Sequence, residues 1–137
     1  MAEIGVVLLD IQKIPNDLGA VVEVSYTVTF DESDVSANRV FEEVVELIGV
    51  DDGFLNTRDE AIRFGRGNLP FFTSTIRTNG ETSTPVRHVK EVQRSDLDED
   101  RPGRDEIRAR VSLTAAGVGQ VVRDSNLVSD DLRAAHA

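Results

Sequence analysis

The densest run of side chains that could do chemistry is Asp96-Leu97-Asp98-Glu99-Asp100-Arg101-Pro102-Gly103-Arg104-Asp105-Glu106. Aspartates at alternate positions are how a calcium loop begins, because a hard cation takes about six to eight oxygens at short range. An EF-hand is excluded in detail. A loop starting at Asp96 has Arg101 where the turn needs glycine and Ile107 where a bidentate glutamate is needed. What remains is a looser site where loops converge, with Asp96, Asp98 and Asp100 sharing an ion with Asp51, Asp52 or the Asp31-Glu32-Asp34 cluster. The plainer reading is a solvated acidic turn that Arg101 and Arg104 partly neutralise. No cofactor is expected otherwise; calcium is the one ion these acids would suit.

Other catalytic patterns are thin. His88 falls in a β-like segment between Arg87 and Val89, and His136 lies near the C-terminal end. A Ser-His-Asp arrangement would depend on His88, with no Gly-x-Ser-x-Gly elbow to present the serine. A centre with two histidine ligands would have to recruit His136. Two carboxylates can hydrolyse a glycosidic bond, but 25 acids always offer pairs, so a carboxylate-based hydrolase stays a minor alternative. Gly65-Arg66-Gly67-Asn68 lacks the rest of a phosphate-binding loop and reads as a turn. Phe71 and Phe72 follow Pro70 and would point to opposite faces if extended, leaving one exposed. With Arg63, Arg66 and Arg77 they would form a protein-binding spot, since aromatic and Arg residues are enriched at interfaces.

Composition narrows the classes further. Without cysteine there is no disulfide, zinc ribbon, iron–sulfur cluster or thiol nucleophile. A net charge of −10 argues against nucleic-acid phosphate as a partner. The charge is uneven: residues 31–60 carry ten acids against Arg39 and Arg58, whereas residues 61–94 carry six basic side chains against Glu81 and Glu91. Such blocks could face each other within the fold or across an oligomer interface, or simply be solvated. Neither a signal peptide nor a membrane-spanning segment is visible, which makes the cytoplasm the default compartment unless the chain is a mature or excised fragment.

The elements that must position these residues are mostly strands. Turn-forming clusters at 15–17, 31–36, 51–53, 65–68, 79–80 and 100–103 leave segments of about ten residues, the spacing of an all-β sandwich or barrel. In Ala20 to Phe30 the residues Val22, Val24, Tyr26, Val28 and Phe30 alternate with polar ones, and in Glu106 to Thr114 Ile107, Ala109, Val111 and Leu113 do the same. Ile4 to Ile14 reads as a strand whose apolar first half suits a position covered on both sides. Phe71 to Thr78 runs into Asn79-Gly80, a two-residue hairpin signal, with a return strand near Pro85 to Gln93 that Pro85 confines to a start or an edge. A last strand involves Gln120 to Arg123 or Asn126 to Ser129. The segment 39–50 is balanced between strand and helix. Its apolar residues fall on one helical arc, yet most are β-branched. Thr57-Arg58-Asp59-Glu60 has capping-box spacing and predicts a short helix near 58–64.

The layout is similar to immunoglobulin-like or fibronectin-like sandwiches in its strand spacing, although the buried Trp and paired cysteines of antibody domains are missing. The expectation is therefore an antiparallel β-sandwich of about seven strands over residues 1–129, with a flexible tail at 130–137. The alternative is an α+β fold with an amphipathic helix at 37–48. The expected role is a non-enzymatic module acting by protein–protein contact or self-association, with a calcium-stabilised binding domain as the second reading.

Overall fold

A computed structural model describes residues 1–50, 60–65, 67–97 and 105–130, with the side chains of Glu60 and Asp105 left aside. Two antiparallel sheets pack face to face around one apolar core. The first contains β1 (Glu3–Ile4), β2 (Leu8–Lys13), β3 (Gly19–Thr29) and β7 (Ser83–Gln93). β7 pairs with β3 along its whole length, so β1 and β2 must lie end to end on the other edge of β3. The second contains β4 (Val40–Gly49), β5 (Glu60–Ile62), β6 (Phe72–Arg77), β8 (Asp105–Ala115), β9 (Gly119–Asp124) and β10 (Val128–Asp130). β4 lies at its centre, with β5 and β6 end to end on one side and β8 on the other, and β9 and β10 continue beyond β8. The ten strands of the described residues thus occupy three columns in one sheet and four in the other, where about seven strands were expected.

Alternation explains the core. Val22, Val24, Tyr26 and Val28 from β3 meet Ile107, Ala109, Val111 and Leu113 from β8, all buried. Phe30 stacks on Phe41 with ring centres 5.7 Å apart, and Phe64 meets Phe71 edge-on at 6.0 Å. Arg94, also buried, donates to the carbonyls of Gly19 and Ile14 at 3.1 and 2.6 Å, which ties the β2–β3 turn to the end of β7.

Several expectations are corrected. The amphipathic helix at 37–48 is replaced by β4, whose partners β6 and β8 take up its backbone groups along both edges. The helix near 58–64 is replaced, over its described part, by β5 and the Phe64–Leu69 bridge; pairing with Leu47–Gly49 outweighs the local capping signal. Among the described residues the helices are α1 (Glu32–Ser36), capped by Asp31, and α2 (Arg94–Leu97). The first half of the N-terminal segment is not covered on both sides, because Val6 and Leu8 are exposed. Asn79 and Gly80 do make the predicted tight turn, both with positive φ, but β6 and β7 then part into different sheets. The amide of Phe30 bonds the carbonyl of Thr82 at 2.8 Å, which captures the outgoing chain for β3. Asp130, placed by sequence in the tail, pairs in β10 opposite Asp105 and bridges to Lys13 at 3.3 Å. No helix among the described residues is long and apolar enough to cross a membrane.

Candidate functional site

The two sides of the sandwich differ. On one, the first and last columns are joined: Val7 and Ser125 form a parallel bridge, and the Asn126 side-chain amide both accepts from Leu9 N and donates to Leu9 O, at 2.9 and 3.0 Å. Arg123 reaches Ile4 O at 2.9 Å. On the other side β7 faces β5 and β6, and among the described residues no backbone hydrogen bond pairs these strands. The second seam is held by side chains.

Glu43 sits at its centre. Its phase on β4 follows Phe41 and precedes Val45 and Leu47, all facing the core, and its carboxylate has no exposure. Burying a carboxylate is costly unless it is hydrogen-bonded, and this one has three partners. Tyr26 donates to Oε2 from β3, Ser74 donates to Oε1 from β6 at 2.6 Å, and His88 Nε2 of β7 lies 2.8 and 3.0 Å from the two oxygens. Two of these four residues come from each sheet, so the cluster staples one sheet to the other. Burial first, then the Glu43 carboxylate, push the Tyr26 hydroxyl well above its ordinary range and hold it protonated as a donor. His88 is 13% exposed and stacks under Phe72 at 4.0 Å. Further along the seam, Lys90 donates to Phe71 O at 2.9 Å and lies over the Phe71 and Phe64 rings.

This order of groups matters for chemistry. A serine nucleophile needs imidazole to take its proton, with the acid behind the imidazole. Here Ser74 gives its hydrogen bond to Glu43, and the acid stands between serine and histidine. The arrangement orients His88 and satisfies a buried anion.

The outer boundary of the seam is β7 itself, an eleven-residue strand that, among the described residues, is paired on one side only. The bonds from Phe30 N to Thr82 O and from Arg94 N to Leu18 O, both 2.8 Å, fix the phase of its ladder. Even-numbered residues exchange bonds with β3, so the peptide groups of Ser83, Pro85, Arg87, Val89, Glu91 and Gln93 point away from it. Pro85, which has no amide hydrogen, falls where none is required. The outward faces of Arg87, Val89 and Glu91 are exposed, and Arg87 also pairs with Glu23 of β3.

The residues singled out from sequence are only partly among the described ones. Asp96 is exposed on α2, while Asp98, Asp100, Asp51 and Asp52 lie outside the described residues. Asp31 and Asp34 are committed to capping α1, and Asp34 also binds Arg39 at 2.8 Å. Among the described residues, no three His, Asp or Glu side chains are grouped to hold a metal ion. Of the expected interaction spot, four residues are described, and they do not share one exposed face. Phe71 is fully buried because the chain bends there before β6 begins, and Phe72 is turned inward onto His88. Arg63 pairs with Glu46 at 3.3 Å, Arg77 sits at the opposite end of β4 beside Val40, and Arg66 lies outside the described residues. The two charge blocks meet within the fold at Arg63–Glu46.

Glu43, Tyr26 and Ser74 were missed as a group. The available signal was Glu43 itself, the only charged residue in the inward phase from Phe41 to Leu47. Comparison of the chain with protein-family models finds no match, and comparison with curated proteins likewise finds none.

Proposed function

We propose that the protein is a non-catalytic β-sandwich module that works by protein–protein contact, with the open edge of β7 as its contact surface. The single observation that carries this reading is the row of outward-pointing peptide groups on β7, beside exposed Val89 at 48%. An unpaired strand edge is a template for another strand, and β-strand addition supplies affinity through main-chain bonds. The seven columns divided between two sheets agree in number with immunoglobulin-like domains, which commonly serve as such modules. The test is substitution of Val89→Asp, followed by measurement of association with itself or with a protein captured from the source cell. Loss of a specific association is the expected outcome. Unchanged association, or none in the unaltered protein, defeats the reading.

A second reading draws on the Glu43–His88 pair, in which the carboxylate orients the imidazole as it would a general base. Turnover of simple ester or glycoside substrates that disappears in His88→Gln would favour it over the first.

A further inference from the structure

We infer that the partner of the β7 edge is a second copy of this chain, bound by antiparallel pairing of β7 with β7 about a two-fold axis centred on Val89; this rests on the interaction reading above. Two-fold pairing of a strand with itself is the commonest closed arrangement available to one patch, because the same surface serves both copies. The edge residues select the register. Centring on Arg87 places arginine on arginine, centring on Glu91 places glutamate on glutamate, and centring on Lys90 places lysine on lysine. Centring on His88 opposes histidine to histidine and sets Glu91 against Pro85. Centring on Val89 opposes Arg87 to Glu91 twice, with two β-branched valines between them. Opposite charges and β-branched pairs directly across a ladder stabilise it, and like charges destabilise it.

The main chain agrees with this choice. In that register Val89 meets Val89 and Arg87 meets Glu91 as hydrogen-bonded pairs, because all three residues already turn their peptide groups outward. Pro85 meets Gln93 and forfeits one donor only. On the inner face His88 and Lys90 come opposite each other, but both are directed into their own chain, to Glu43 and Phe71 O. Across the same seam the β5/β6 edge is a poorer template, since its described part is broken into strands of three and six residues. Charged edge residues ordinarily deter pairing. Here they recur with opposite sign about an apolar centre, which makes the edge complementary to itself. Each chain carries a net charge of −10, but at about 0.15 M salt the Debye length of ~8 Å damps repulsion between whole chains more than between directly opposed residues.

Sedimentation velocity from micromolar to millimolar chain at that salt tests the pairing. The expected result is a reversible doubling of mass, weakened about tenfold or more in Arg87→Glu and restored in the double variant Arg87→Glu/Glu91→Arg. Val89→Pro removes the central donors without touching a bond to β3 and should abolish the dimer while thermal melting reports an intact fold. A strictly monomeric chain overturns self-pairing, as does a dimer indifferent to all three variants. If the chain is monomeric but Val89→Asp loses a heterologous partner, self-pairing falls and the interaction reading stands; if neither association exists, both fall.

Discussion

The seam between the first and last columns and the seam between β7 and β5/β6 face the same problem, two sheet edges brought side by side, and solve it differently. At the first, main-chain groups are satisfied across the gap, directly at Val7–Ser125 and through the amide of Asn126, which stands in for a peptide unit against Leu9. At the second, a buried carboxylate gathers donors from three strands, while among the described residues the backbone of β7 is unpaired outward. The difference teaches that a polar cluster inside a sandwich can replace strand pairing as the closure. On the proposed function, that is what leaves the β7 edge for another chain.

The two closures should respond unequally to substitution. Glu43→Ala strands Tyr26, Ser74 and His88 without their acceptor and should cost about 3–5 kcal/mol in denaturant unfolding, the cost of breaking a buried polar network. Glu43→Gln keeps the shape and some of the bonds and should cost less. Asn126→Ala, at an exposed position where water replaces the lost partners, should cost about 1 kcal/mol or less. A reversed order would break the contrast between the seams.

Tyr26→Phe removes one donor to Glu43 and should cost about 2 kcal/mol. The same residue gives the open seam a pH signature. Its folded pKa is raised above the ordinary 10.0, so its contribution is fully present below pH 10 and is lost as pH rises above that value, where only the unfolded chain ionises freely. Tyr26 is the sole tyrosine and there is no tryptophan, so tyrosinate absorbance should appear only together with unfolding. Tyrosinate forming in the folded protein near pH 10 would contradict the buried bond.

An outer-face pair supplies a smaller effect at acid pH. The hydrogen bond from Arg110 to Asp124, at 2.8 Å and helped by the charges of Arg110 and Arg108, holds the Asp124 carboxyl below its ordinary 3.8. Its stabilisation is present above that value and is lost as pH falls through the lowered one. Because Asp124 is partly exposed, Asp124→Asn should flatten the acid limb of stability by no more than about 1 kcal/mol. The smallest expected effect is that of calcium. The interaction reading predicts no change in melting temperature between millimolar calcium and chelator, whereas saturation at about 100 times Kd would add ~2.7 kcal/mol.

Much of this architecture was legible in the residues, and the illegible part has a physical cause. β3 and β8 alternate cleanly because every inward residue is apolar apart from the hydroxyl of Tyr26. β4 was ambiguous because its inward phase is interrupted by Glu43 while Val44 and Ile48 lie on the opposite phase. The residue that spoils the strand pattern is the one on which the open seam is built. Asn79-Gly80 announced a turn correctly, but no local signal says whether the strands leaving a turn will pair or part. Phe71 and Phe72 were misread because alternation holds only within a strand, and β6 starts one residue later. Self-complementarity at Arg87, Val89 and Glu91 was present in the sequence, but it acquires meaning only once β7 is known to be an edge and its outward phase is fixed.

The most direct test of an open edge beside a side-chain closure is residue-resolved amide hydrogen exchange at low and high chain concentration. The account predicts that the amides of Val86, His88, Lys90 and Val92 are slow throughout, whereas those of Arg87, Val89 and Glu91 are fast when dilute and slow when concentrated. Equal protection of all seven in dilute solution, matching Leu9 at the closed seam, would contradict it.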